Sequence, residues 1–367
     1  MSQTWRYHNP VDITFGPGAF GRIGEALDGR SYALVTYGDA PFEDPRARLA
    51  ELAGEPAVTV DDVASNPNFG TLNAHCARFA AIDPPPEVIV ALGGGSVIDT
   101  AKVLSAARGD FAQVRHYLET GRGGDTLGAI PIIAVPTTAG TGSEVTNWAT
   151  VWDLEGGTKY SLARPSVYPQ CALVDPELML GLPRAVTVSS GLDALSHALE
   201  SLWNRNANPM STEFAVPAAR ELLMTLPLLA EDLENLALRG RVAKAALTAG
   251  LASSNTMTAL AHELSYPITL NHGVPHGIAC SFTLPLVLRA VAGESRTSDT
   301  ALKRVFGANL EAGAEQLEAF LAGLEVSVDA ADHGVDGKDW FELVSGAFDG
   351  DRGRNFVGRR EKVLSYV

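Results

Sequence analysis

The sequence predicts an α/β N-terminal domain built on a parallel nucleotide-binding sheet, followed by an all-α metal-binding domain. Three observations carry that expectation. Short apolar runs rich in branched residues recur through the first half; glycine-rich or hydroxyl-rich turns follow two of them directly; and Ala and Leu at helical spacing dominate from Thr187 onward.

The strand signals come first in the chain. Residues 31–36 (SYALVT), 87–92 (EVIVAL) and 130–136 (IPIIAVP) are apolar and bounded by Gly, Pro or Asp. Continuous runs of this kind suit strands covered on both faces, as in a parallel sheet sandwiched by helices. After Leu182 and Pro183 the texture changes. Stretches such as 218–226 and 238–253 are dense in Ala and Leu with few β-branched runs, which predicts helices. The boundary is expected in the Gly-Leu-Pro-Arg turn ending at Arg184, dividing the chain into domains 1–184 and 185–367. A length of 367 residues allows two cores.

Composition narrows the function. A net charge of −15 repels a phosphate backbone and an anionic membrane surface, so neither nucleic acid nor membrane is an expected partner. With 46% hydrophobic and 19% charged residues the chain is expected to fold. It contains no apolar run of about 18 residues. Residues 1–10 lack an apolar signal segment, and the three cysteines, Cys76, Cys171 and Cys280, show no CxxC spacing. A cytoplasmic protein with reduced, buried thiols is expected, and a homodimer is the commonest assembly for one.

The chemistry resides in three motifs. The run 87–92 leads straight into Gly93-Gly94-Gly95-Ser96 and then a helical stretch, 97–107. Glycines let the backbone approach a ligand, and a helix N-terminus offers free N–H groups to a phosphate. Pro136-Thr-Thr-Ala-Gly-Thr-Gly-Ser-Glu-Val-Thr146 follows the next strand, and its hydroxyls at Thr137, Thr138, Thr141 and Ser143 suit ribose, phosphate or carboxamide. Two such loops at neighbouring strand ends face the crevice where α/β sheets bind nucleotides. The third motif, Gly191-Leu-Asp-Ala-Leu-Ser-His197, spaces Asp193 and His197 four residues apart, so a helix presents both on one face. His262 and His276 follow later. One carboxylate and three imidazoles suit a tetrahedral divalent ion, Zn(II) or Fe(II).

Together, GGGSVIDTAK (93–102), PTTAGTGSEVT (136–146), GLDALSHALES (191–201) and AHELSYP with HGVPHGIA (261–279) resemble the iron-containing, or group III, alcohol dehydrogenases. FGPGAF (15–20) and Asn66-Pro67 extend the likeness over nearly the whole chain. The resemblance implies metal ligands at Asp193, His197, His262 and His276. It also implies a dinucleotide in the cleft between the domains, contacted by Gly94, Gly95, Ser96, Thr137, Thr138, Thr141 and Lys159. The implied reaction is a reversible hydride transfer between NADP(H) or NAD(H) and a small aldehyde, the ion polarising the carbonyl oxygen.

Two departures from the family shape the finer expectations. Many relatives carry a second histidine four residues after the first helical ligand of the later motif; this chain has Tyr266 there, so Tyr266 and His272 are the candidate proton donors. After the first strand Tyr37 and Gly38 stand where NAD-preferring relatives often place Asp, with Asp39 slightly later, which favours NADPH.

The segment His262-Glu-Leu-Ser-Tyr-Pro267 and the tail Arg352-Gly-Arg-Asn-Phe356 look like the phosphonoacetaldehyde reductase branch. A phosphonate needs cationic donors, and Arg352, Arg354, Arg359, Arg360 and Lys362 concentrate charge in one stretch. Thr146, Arg354 and Asn355 are therefore the expected substrate contacts, and the expected reaction gives 2-hydroxyethylphosphonate. Sulfoacetaldehyde or a neutral primary alcohol is the alternative. A dehydroquinate synthase-like lyase, which shares the two-domain plan, is a remote one.

Overall fold

The computed structural model describes residues 4–367. These divide into two compact units: an α/β unit of residues 9–138 and 143–181, and a helical unit of residues 182–367 together with 4–8 and 139–142. The long stretch of the helical unit opens at Leu182, in the expected Gly-Leu-Pro-Arg turn, and the division is not a single cut. Packing explains both short additions. Tyr7 donates its hydroxyl to Leu251 O at 3.1 Å. Gly142, at φ +62°, lies where a Cβ would sit 2.6 Å from Gly250 Cα, so residues 139–142 reach the helical unit only through backbone lacking a side chain.

The α/β unit is built on six parallel strands in the order β1 (Asp12–Phe15), β8 (Cys171–Val174), β5 (Ile132–Pro136), β4 (Val88–Gly93), β2 (Tyr32–Val35) and β3 (Val58–Val60). A hairpin of β6 (Trp148–Asp153) and β7 (Thr158–Ala163) stands apart from it. Five helices accompany the sheet: α1 (Ile23–Leu27), α2 (Glu43–Ala53), α3 (Phe69–Ala80), α4 (Gly95–Ala107) and α5 (Phe111–Thr120).

The two-residue period of a strand decides what each face buries. Ala33, Val35, Ile89, Ala91, Ile132 and Ala134 join Leu72, Phe79, Ile98, Leu104 and Val114 from α3, α4 and α5. Tyr32, Leu34, Val88, Val90, Ile133 and Val135 join Phe20, Ile23, Leu27 and Leu49 from the side of α1 and α2. The three runs expected as strands are the central ones, β2, β4 and β5, covered on both faces. The edge strands β1 and β3 and the hairpin carry weaker apolar signals because part of each stays accessible.

The helical unit comprises α6 (Arg184–Leu202), α7 (Pro209–Glu231), α8 (Leu236–Thr256), α9 (Leu260–His272), α10 (His276–Ser281), α11 (Leu284–Val291), α12 (Arg296–Phe306), α13 (Leu310–Gly323), α14 (Gly337–Ala347) and α15 (Arg360–Leu364). Its helices share one apolar core with Trp203 fully buried. Asn208 starts α7 with a reciprocal capping box to Ser211, and Pro209 occupies the first helical position, where no N–H is required. Among the described residues no helix is long and apolar enough to cross a membrane.

Candidate active site

In the α/β unit the chain leaves β2 toward β3 on one side and leaves β4 toward β5 on the other. Adjacent strands whose connections diverge open a crevice at their carboxyl ends, the usual nucleotide site of such sheets. Gly93 ends β4, Gly94 caps α4, and Gly95 and Ser96 form its first turn. A Cβ on Gly93 would meet Val97 Cγ2 at 2.5 Å, and one on Gly94 would meet Thr138 Oγ1 at 3.1 Å, so the tight turn depends on glycine. Ser96 donates to Ser65 O. Thr137 follows β5 beside this turn, its N–H donating to Gly93 O at 3.1 Å, and its buried hydroxyl has no hydrogen-bond partner. Such an orphaned group fits a ligand contact. Thr141 is exposed and belongs to the helical unit, and Lys159 lies on β7 opposite Trp152.

A buried network that the sequence reading left unassigned supports this region. Lys102, fully buried on α4, donates to Ser143 O at 2.7 Å, Ser143 Oγ at 2.8 Å, Thr146 Oγ1 at 3.1 Å and Trp148 O at 2.8 Å. Asp99 accepts from Ser143 Oγ at 2.6 Å and Thr150 N at 2.8 Å. Burial pushes the Lys102 ammonium down to about 8, the attraction of Asp99 and Glu144 opposing it. Thr146, expected to touch substrate, instead spends its hydroxyl on this network and is fully buried. The signal available in the sequence was the Asp-x-x-Lys spacing in the first turns of α4, which sets both groups on one helix face.

In the helical unit α6 carries Asp193 and His197 one turn apart, α9 brings His262 in its first turn, and α10 begins at His276. Asp193 Oδ1 lies 3.4 Å from His262 Nε2, 3.9 Å from His276 Nε2 and 4.0 Å from His197 Nε2. Donor atoms bound tetrahedrally at about 2.0–2.2 Å stand about 3.3–3.6 Å apart, close to this spacing. Buried Asp193 Oδ1, His197 Nδ1 and His262 Nε2 have no hydrogen-bond partner, so the cluster carries unmet coordination capacity and its donors fit a divalent ion. A fifth donor in the neighbourhood is Cys280 Sγ, 3.6 Å from His276 Nε2.

Glu200 orients the cluster, and the sequence reading passed over it. Fully buried on α6, its Oε2 accepts from Ala259 N at 2.9 Å and from His262 Nδ1 at 2.6 Å. Its Oε1 accepts from Ala261 N at 2.6 Å and His262 N at 3.3 Å. It therefore caps the N-terminus of α9, which has no capping side chain of its own, and it leaves His262 Nε2 turned toward Asp193. Asp193, His197 and Glu200 follow one another at i, i+4 and i+7, one helix stripe, a pattern legible in the sequence. Gly277 is equally constrained: a Cβ there would lie 1.8 Å from Ser189 O, so α10 approaches α6 only without a side chain after His276.

Burial pushes the Asp193 carboxyl up, but the imidazoles, His197 foremost, reverse this and hold it well below the usual carboxylate range. Burial drives the His197 imidazole down to about 4 against the pull of Asp193. His262 is also penalised by burial, yet Cys280, Glu200 and Asp193 raise it well above the ordinary value. Asp193 and His197 are thus held as carboxylate and neutral ring, the states that metal donors require, whereas His262 must give up a proton for an ion to bind.

The expected proton donors separate. Tyr266 stacks on His276 with ring centroids 6.0 Å apart and planes within 7°. His272 is exposed at the end of α9 and lines a surface cavity with Glu325, Asp332 and His333 that includes none of the four donors. The basic tail is also not a free cationic patch. Arg354 is exposed, paired with Asp351 at 3.5 Å and bonded to Asp349 O at 2.6 Å. Arg359 pairs with Glu294, Arg360 with Asp349, and Lys362 with Glu294. Asn355 Nδ2 donates to Thr258 O at 2.8 Å. Arg352 differs in being buried, on a segment whose backbone N–H donates to Glu263 Oε2 at 2.8 Å, next in sequence to His262.

The chain resembles known proteins along its whole length. A phosphonoacetaldehyde reductase of Streptomyces viridochromogenes is 38% identical over 250 residues, 67% of this chain and 62% of that protein. A 1,3-propanediol dehydrogenase of Klebsiella pneumoniae is 30% identical over 335 residues, 87% and 85% of the two chains. The crystal structure of a sulfoacetaldehyde reductase from Bifidobacterium kashiwanohense in complex with NAD+ superposes with a TM-score of 0.90 at 27% identity, covering 100% of this chain and 98% of that one. The match to the first of these and to a 1-propanol dehydrogenase of Salmonella typhimurium spans 62% and 60% of those proteins' lengths. The family description "Iron-containing alcohol dehydrogenase" matches residues 10–176, and "Fe-containing alcohol dehydrogenase family, C-terminal" matches residues 187–362. With both halves matched, and a donor cluster and a glycine turn in the units that those halves encode, the chain belongs to the iron-containing alcohol dehydrogenase family.

Proposed function

We propose that the chain is an NAD(P)H-dependent reductase of a small anionic aldehyde, with phosphonoacetaldehyde as substrate and 2-hydroxyethylphosphonate as product. The observation that carries this reading is the convergence of Asp193, His197, His262 and His276, with Asp193 Oδ1 and His262 Nε2 buried and unpartnered. When bound, a divalent ion supplies Lewis acidity to a carbonyl oxygen and the nicotinamide supplies hydride. The chain's own part is to hold and orient. Asp193 and the three imidazoles are the ligands, and Glu200 turns His262 toward them. Gly94, Gly95, Ser96, Thr137, Thr138, Thr141 and Lys159 hold the dinucleotide. Tyr37 follows β2 where a ribose-binding carboxylate would repel a 2′-phosphate, which supports NADPH over NADH. Tyr266, aligned with His276, donates the proton to the product oxygen.

The anionic tail is assigned to Arg352 in preference to Arg354, because a buried guanidinium loses less to screening than an exposed one. Similarity to a phosphonoacetaldehyde reductase and to a sulfoacetaldehyde reductase supports an anionic substrate. The test is a panel of aldehydes with phosphonate, sulfonate, carboxylate and neutral tails, assayed with NADH and NADPH. Arg352→Ala should raise KM for the phosphonate about 10- to 100-fold, the worth of a charged hydrogen bond, and spare propanal. Equal losses on both, or a wild-type preference for neutral tails, would discard the anionic substrate.

A further inference from the structure

Cys280 has no part in the roles above, yet its sulfur belongs to the donor cluster. Among the described residues, one donor atom each from Asp193, His262, His276 and Cys280 lie within 4.8 Å of one another. Cys280 is fully buried on α10, four residues after His276, so the helix points both side chains from one face. An imidazole nitrogen about 2.05 Å and a thiolate sulfur about 2.3 Å from one ion, at angles of about 90–120°, stand about 3.1–3.8 Å apart. Cys280 Sγ lies 3.6 Å from His276 Nε2. An independent observation points to the same space: Asp193 Oδ1 and His262 Nε2, on residues 4% and 3% exposed, are unpartnered and aimed into it.

We propose that Cys280 is a fifth donor to the divalent ion, its sulfur binding beside the carboxylate and imidazoles so that the loaded centre is five-coordinate rather than tetrahedral, and its proton leaving to solvent as the metal–sulfur bond forms. A thiolate is a softer donor than any of the others, so the centre favours Zn(II) over Mn(II) more strongly than an all-nitrogen-and-oxygen site does. The inference rests on the reading of this cluster as a metal centre. The experiment loads the metal-free full chain with Co(II) and records its absorption spectrum. Visible d–d bands report occupancy of the centre, and a near-ultraviolet thiolate-to-Co(II) charge-transfer band reports sulfur ligation. Cys280→Ser should keep the d–d bands and lose the charge-transfer band, whereas a Cys76→Ser, Cys171→Ser double variant should keep both. Chelator competition should show the Zn(II)-over-Mn(II) preference narrowed at least about tenfold in Cys280→Ser. Occupied wild type without the charge-transfer band, or a band that survives in Cys280→Ser, overturns the sulfur donor alone. Absence of Co(II) uptake overturns the metal centre and the sulfur donor with it.

Discussion

Replacing Glu200 with Gln removes one charge and changes almost no volume, so it isolates what that carboxylate does. Its two oxygens together accept from Ala259 N, Ala261 N, His262 N and His262 Nδ1. A glutamine has one oxygen and one NH2, and neither orientation satisfies the site. With the NH2 in the place of Oε1 it faces the N–H groups of Ala261 and His262. In the place of Oε2 it faces Ala259 N–H and His262 Nδ1. Each buried donor left unpaired costs about 1–3 kcal/mol, so two cost about 2–6 kcal/mol. For a unit of this size each kcal/mol lowers Tm by about 2–4 °C. The second orientation also favours the His262 tautomer protonated at Nε2, the atom that faces Asp193, and so opposes metal binding. Glu200→Gln is therefore expected to melt about 5–20 °C below wild type when metal-free. It should bind Zn(II) about 10- to 100-fold more weakly. Scanning calorimetry and chelator competition measure the two effects. A variant with unchanged Tm and unchanged affinity would refute the assignment of Glu200 as the group that caps α9 and orients His262.

Three further outcomes follow from the same geometry. Lys102→Met leaves four acceptors without their donor and strands Asp99 and Glu144 without a cation, which should cost about 3–5 kcal/mol and lower Tm by about 10 °C; a denaturant midpoint equal to wild type would contradict the network. Gly277→Ala places a Cβ within 1.8 Å of Ser189 O, so α10 must shift; metal affinity should fall along with stability, and chelator competition reads whether it does. Burial pushes the thiols of Cys76 and Cys171 up to about 12 and about 11, so at pH 8 almost no thiolate is present at either. Alkylation of the native protein at pH 8 should therefore spare both and label them only after denaturation, with mass spectrometry counting the adducts; rapid native labelling would place them outside the core.

Much of the architecture was legible because it rests on local pattern. Uninterrupted apolar runs identified β2, β4 and β5, since strands covered on both faces need no polar alternation. They missed β3, three residues long, and the β6–β7 hairpin, whose strands mix polar and apolar positions. The glycine turn after β4 was readable because a position where a Cβ would meet Val97 Cγ2 at 2.5 Å admits no side chain. Charge along the tail suggested a cationic cluster, and in the fold Glu294, Asp349 and Asp351 pair with Arg354, Arg359, Arg360 and Lys362. Glu200 and Lys102 were overlooked although their helix spacing was visible, because spacing alone gives a shared face and not the partners that face meets.

By itself the order of residues determined the donor types, the helix stripe bearing Asp193 and His197, and the turns that close on glycine, all consequences of backbone periodicity and steric exclusion within a few residues. Only the packed chain decided which groups meet. It brought His262 and His276 to Asp193, set Glu200 beneath His262, left His272 at the surface and drew Cys280 in. Whether side chains from α6, α9 and α10 stand within 4 Å depends on how helices seat against one another, a distance that no local repeat along the chain encodes.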